Sequence, residues 1–466
     1  MELSHQLADQ GVLVTFVNTE FIHKYVLAAL PENFRSNYSG RIRLVTIPDG
    51  AVNDEERFIL SKMFPLLQYN TPSFIEELIL NINEKEEHKI TFVIVDGTMG
   101  FLLDVAKKLN IPRAAFWPAS AWMLFILFKI PTLIDAGVID LNGRAPVSDM
   151  YFIALLLHVC MLLVLSGFIQ EGKLIQLSEG LPAFNPAHLF WVPFGDTNEQ
   201  EVFFKYLQMC VEHMKGIDHI LCNSFPELES PFLKLINNAL PIGPLLSTSN
   251  SGRQPSSFWA EDFSCINWLD RQPACSVIYV SLGSTTILSK HQLGELALGL
   301  ELTGRPFLWV SRPTIMENNA AVYSEGFMDR VARRALVVEW APQKEVLSHP
   351  SVACFLTHCG WNSTMEGLFN GVPMLGWPYF ADQFLNQTCI VDLWKVGLKL
   401  VRDDDGVVGK EEIRKKIEDL MNDEGIRERV SDMKEKGKRA VMEGGASFAN
   451  LNGFVHTIKR EAGNQD

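Results

Sequence analysis

The sequence predicts an α/β protein built from two doubly wound domains, each a parallel sheet with helices on both faces. Two observations carry this expectation. Short, near-continuous apolar runs alternate with helix-period segments through most of the chain, which is the pattern of strands covered on both faces. A Gly/Pro/Ser-rich stretch, IGPLLSTSNSGRQPSS at 242–257, separates two sets of such runs and reads as a linker. The length of 466 residues suits two or three domains with separate cores. Domains are therefore expected over 1–245 and 246–466.

In chain order, Glu2–Gln10 reads as a helix. Strands follow at Val12–Val17, Ile42–Ile47, Phe92–Val95, Ala114–Trp117 and His219–Cys222. A doubly wound domain ordinarily opens with a central strand whose loop feeds the first helix, so the sequence places that strand upstream of Met1. The second half supplies Val277–Leu282, Phe307–Val310, Ala335–Glu339, Val352–Leu356, Pro373–Trp377 and Val396–Val401. Lys410–Gly437 is charge-dense with apolar residues at helical spacing and reads as a solvated surface helix.

The 55 acidic residues against 41 basic ones give a net charge of −14, which argues against a nucleic-acid binder. None of the eight cysteines lies in a CxxC pair, so buried reduced thiols are expected rather than a metal site. MELSHQLADQG carries acids and lacks the apolar core of a signal peptide, so a cytoplasmic setting is expected. One segment stands apart: YFIALLLHVCMLLVLSGFI at 151–169 is apolar over about a bilayer's thickness. A helix crossing a membrane there would divide one sheet domain, so membrane association is not expected.

Trp340 to Gln383 carries the chemistry. Val352–Leu356 reads as a buried strand, and THCGWNS at 357–363 as a turn into a helix starting near Asn362. Gly360 permits close backbone approach, while Asn362, Ser363 and Thr364 bring donors to a helix N-terminus, an anion site best matched by a diphosphate. His358 on the same turn is placed to donate to a phosphate oxygen. Glu366, one turn on, suits the paired hydroxyls of a ribose. Trp340 offers a flat face for a base, and Asp382 with Gln383 suits the vicinal hydroxyls of a sugar. Together they describe a nucleotide-sugar site at the carboxyl ends of strands.

This 44-residue block resembles the C-terminal signature of plant secondary-product UDP-glycosyltransferases along its whole length. The resemblance continues through NTEFIHK, VDGTMG with AAFWPASA, HILCNSFPELE, LPIGPLL, VIYVSLGS and RPFLWVSRP. It implies a GT-B fold, two Rossmann-like domains facing across a cleft, with the last helix packing back on the first domain. It also implies that Trp340 stacks on uracil, Gln343 contacts the nucleoside and Glu366 holds the ribose. His358, Asn362, Ser363 and Ser284 would bind the diphosphate, and Trp361, Asp382 and Gln383 would meet the sugar. The implied donor is UDP-glucose or a related UDP-sugar, with no metal or other cofactor. The implied acceptor is a small lipophilic molecule such as a flavonoid, phenolic or terpenoid, received near Met99, Phe116, Trp117 and Trp122. A monomer is expected.

The chain departs from that family in two places. Asp96, ending the strand FVIVD, matches the aspartate that orients the family's general-base histidine, but the histidine itself has no match. His5 falls on the following helix, and His23 lies beyond the next strand. Removing a general base costs about 10²–10⁴ in rate, so a donor-binding product with impaired turnover is the alternative. An epimerase would share the architecture, but no residue independently supports one. The second departure is 147–170, which reads as added. It is a helix on the acceptor domain, a membrane-surface anchor or translated non-coding sequence, the last favoured because one chain shows both departures.

Overall fold

β-branched and aromatic runs such as VIYVS and VACFLT form strands because their side chains pack on a pleated surface covered from both sides. In a computed structural model these strands build two compact units. The structure describes residues 1–29, 40–144, 169–171, 174–192, 196–246, 261–284, 286–311 and 326–463. The segment 147–170 lies outside them except for its last two residues. Among the described residues no helix is long and apolar enough to cross a membrane.

The second unit, residues 259–438, holds one six-stranded parallel sheet. Its strands are β9 (Val277–Ser281), β10 (Phe307–Val310), β11 (Ala335–Val338), β12 (Val352–Thr357), β13 (Met374–Gly376) and β14 (Gly397–Lys399). Their order is β11-β10-β9-β12-β13-β14. Counted from the unit's first strand this is 3-2-1-4-5-6, the doubly wound order whose ligand crevice lies where the winding reverses. Every residue of β9 and β12 is buried. The helices Lys410–Asn422 and Glu424–Val441 correct the expectation of one solvated helix over Lys410–Gly437. Their charges face water, but Ile413, Ile417 and Leu420 are fully buried in the sheet's core cluster.

The first unit comprises residues 1–258 with 439–466. Its strands are β1 (Val14–Thr19), β2 (Ile42–Ile47), β3 (Val93–Asp96), β4 (Arg113–Trp117), β7 (Ile220–Cys222) and β8 (Ala239–Pro241), with a small antiparallel pair, β5 (Ile169–Glu171) and β6 (Leu174–Gln176). The parallel strands form two sheets, β1-β2 and β3-β4-β7-β8. Among the described residues no ladder joins β1 to β3. Val14 and Ile94 nevertheless pack on one cluster with Leu3 and Leu7 of the helix Glu2–Asp9 and with Phe454 and Ile458 of the helix Ala446–Gly463. That last helix is fastened by Asn450 Nδ2 donating to the Pro241 carbonyl at 2.8 Å.

The described cysteines are free thiols, and all are buried except Cys275, which corrects the expectation of uniform burial. Cys275 sits at φ 52° in the turn before β9, where no sheet covers it.

Candidate functional site

The predicted donor residues gather at the carboxyl ends of the second unit's strands, on the loops after β9, β11, β12 and β13. β9 and β12 pair with Ser281 opposite Thr357. The loops leaving them therefore start side by side at the point where the strand order reverses. Ser284 follows β9 and is exposed. His358 follows β12, and its ring donates to the Ser281 backbone.

His358 is held by glycine. A Cβ at Gly283 (φ 76°) would stand 2.7 Å from His358 Nε2, and one at Gly360 would fall on the same atom. The close approach read from Gly360 is thus first an approach to the imidazole. Burial pushes the ring's pKa down to about 4, so it is neutral near pH 7. A neutral imidazole has one N–H, and here it goes to Ser281, while Nδ1 is buried without a hydrogen-bond partner. An anion set against Nδ1 favours the protonated ring, which then donates.

The helix Trp361–Asn370 starts one residue earlier than the sequence suggested, at Trp361 rather than Asn362. Gly360 occupies its N-cap and no side chain caps it, so the positive end of the helix dipole is not offset there by a capping side chain. Asn362 is exposed at this end and Ser363 is buried. Trp361 is 3 % exposed and packs at 6.3 Å on Trp394, so most of its ring serves the core.

After β11, Trp340 lies two residues past the strand and is half-buried, its carbonyl accepting from Asp262 N at 3.0 Å. Gln343 opens the helix Gln343–Ser348. Its Nε2 donates to Ser363 Oγ at 2.9 Å and to Glu366 Oε2 at 2.7 Å. Three residues named separately from the sequence are therefore one hydrogen-bonded group. Sequence reasoning missed Glu261, whose carboxyl burial pushes up to about 7, aided by the nearby charges of Glu345 and Glu366. No motif marks it.

Asp382 and Gln383 begin the helix Gln383–Thr388 after β13. Gln383 Oε1 accepts from the amides of Tyr379 at 2.9 Å and Phe380 at 3.2 Å, so the carboxamide orders its own loop. Asp382 Oδ2 accepts from Asn386 Nδ2 at 2.8 Å, and burial pushes its pKa up to about 6.

Asp96 is in the first unit. It caps the helical turn Gly97–Leu102, with Oδ1 accepting from Thr98 N at 2.9 Å and Thr98 Oγ1 at 2.7 Å. Trp117 and Trp122 are 1 % exposed, and Trp122 stacks on Phe232 at 5.3 Å, so these two rings serve the core. His5 and His23 lie on the helices Glu2–Asp9 and Glu20–Ala29. Among the described residues no group of three His, Cys, Asp or Glu is placed to hold a metal.

Comparison with known proteins places the chain in a family. Residues 250–436 match the family model described as UDP-glucoronosyl and UDP-glucosyl transferase. UDP-glycosyltransferase 83A1 of Arabidopsis thaliana is 39% identical over 472 residues, spanning 99% of this chain and 94% of that protein. Among solved structures, a variant of Os79 from O. sativa in complex with UDP superposes with a TM-score of 0.75 at 26% identity, covering 98% of this chain and 96% of the other. Phytolacca americana UGT2, complexed with UDP-2-fluoro-glucose and pterostilbene, gives 0.73 at 25% identity, covering 96% and 99%. The sheet order and a relative matched along nearly the whole chain converge: the protein is a GT-B-fold member of the plant family 1 UDP-glycosyltransferases.

Proposed function

We propose that the chain transfers glucose from UDP-glucose to a hydroxyl or carboxyl of a small lipophilic acceptor, with inversion at the anomeric carbon, as a cytoplasmic monomer needing no metal. The observation that carries this reading is the helix N-terminus at Trp361, which no side chain caps, beside the Gln343–Ser363–Glu366 group. Trp340 would face uracil, and Glu366 with Gln343 the ribose. Ser284, Asn362, Ser363 and His358 would surround the diphosphate, and Asp382 and Gln383 the sugar. The acceptor oxygen attacks the anomeric carbon as the bond to the β-phosphate oxygen breaks. The charge left on UDP falls where the helix amides and a protonated His358 stabilise it, while the acceptor's proton passes to solvent water, no histidine of this chain matching the family's general base.

A second reading is donor binding with little turnover. It is favoured by Asp96, whose hydrogen bonds among the described residues run to Thr98 and not to a histidine. Incubating the purified chain with UDP-glucose and a panel of phenols, flavonoids and terpenoids separates the two. Glycoside formation supports transfer; thermal protection by UDP-glucose without product supports binding alone; the absence of both product and protection overturns both readings.

A further inference from the structure

The nucleoside group is anchored from beneath by a residue no motif singles out. Tyr279 sits in the middle of β9, 1 % exposed, its ring stacked on Phe355 of β12 with centroids 5.0 Å apart and planes at 24°. Its hydroxyl donates to Gln343 Oε1 at 3.1 Å. Burial pushes the phenol's pKa well above its ordinary value, so the hydroxyl keeps its proton, and the Ser281 hydroxyl supports the same oxygen.

A carboxamide carries its acceptor on one side and its donors on the other. With Oε1 taken by the phenol, Nε2 of Gln343 has to face Ser363 and Glu366, where it is found at 2.9 and 2.7 Å. The opposite flip would set Oε1 against the Glu366 carboxylate, acceptor against acceptor. Glu366 Oε2 is thereby held by a neutral N–H of Gln343 at 2.7 Å.

We propose that Tyr279 is a positioning residue for nucleotide binding: its hydroxyl fixes the Gln343 carboxamide, which in turn sets Glu366 for the ribose. The inference rests on the UDP-sugar reading above. Sequence inspection assigns Tyr279 only to a buried strand, because an aromatic in an apolar run looks like core.

The test is Tyr279→Phe, which keeps the ring and its stack on Phe355. Direct titration with UDP should show affinity lowered about three- to tenfold, the range for loss of one neutral hydrogen bond. In any reaction the chain catalyses, the KM for UDP-sugar should rise by a similar factor with kcat within about twofold. In a Gln343→Ala background the same substitution should add almost nothing, because the group it orients is gone. A melting curve without nucleotide checks that Tyr279→Phe stays folded. Equal UDP affinity in Tyr279→Phe, or an additive loss in the double variant, overturns the inference and leaves the UDP-sugar reading standing. Failure of the unsubstituted chain to bind UDP overturns both.

Discussion

Both units are built on parallel strands alternating with helices, and they differ in the continuity of their sheets. In the second, six parallel strands pair without a break, and the central strands β9 and β12 are buried at every position. In the first, β1-β2 and β3-β4-β7-β8 are separate, and β1 is only half-buried along its length. The functional residues differ in the same sense. The continuous ladder sets the loops after β9 and β12 side by side, so Gly283, Ser281 and His358 interlock. At the end of β3, Asp96 turns back on Thr98. Preorganisation of a site at strand ends depends on the strands beneath it being mutually fixed.

That contrast can be broken or sharpened by measurement. The largest effect expected is in amide exchange: Val277–Ser281 and Val352–Thr357 should exchange at least about a hundredfold more slowly than Val14–Thr19, because protection follows burial and ladder pairing. Similar rates in the two sets would erase the difference. Next, Glu366→Ala should weaken UDP binding about ten- to a hundredfold through lost charge-assisted hydrogen bonds, while Asp96→Ala leaves it within about twofold. The reverse ranking in a titration would remove the donor site from the second unit. Third, Gly397→Ala puts a Cβ onto the Met374 carbonyl and should cost about 1–3 kcal/mol in denaturant unfolding. Gly453→Ala, in the helix Ala446–Gly463 with open space around it, should instead gain up to about 1 kcal/mol. Equal responses would show that packing tightness does not distinguish the two positions.

The smallest effect is a pH slope in the first unit. Glu229 is buried and accepts from the amides of Ala121 at 2.9 Å and Trp122 at 3.2 Å, at the start of the helix Ala121–Phe128. Burial pushes its pKa from 4.5 up to about 7. The folded chain thus holds this proton more tightly than the unfolded one. The resulting stabilisation is complete below pH 4.5 and is lost as pH rises through about 7. Glu229→Gln should flatten the melting temperature across that window, and an unchanged slope would contradict the assignment.

Much of the fold was legible because buried parallel strands are apolar throughout. Ile42–Ile47 and Phe307–Val310 are found where the pattern put them, and most other strands differ by one or two residues at an end. The strand Ala239–Pro241 and the pair Ile169–Glu171 with Leu174–Gln176 escaped notice, since three residues are too few to show a period. In the site, the strand–turn–helix grammar of THCGWNS was legible before any family resemblance, and the strand Val352–Thr357 and helix Trp361–Asn370 are found there. The Gln343–Ser363–Glu366 bonds, Tyr279 and Glu261 were not legible, because they join four elements separated in sequence.

What the sequence determined alone is the alternation of strands and helices, and a strand–turn–helix motif whose residue types and spacing carry their own chemistry. The tertiary structure alone decided which side chains those types become. Trp361 became mostly core, Gln383 the clamp of its own loop, and His358 a neutral ring gripped between two glycines. The physical reason is that periodicity and spacing are local properties of the chain. Burial, amide orientation and protonation depend on neighbours brought in from distant strands, and no local pattern specifies them.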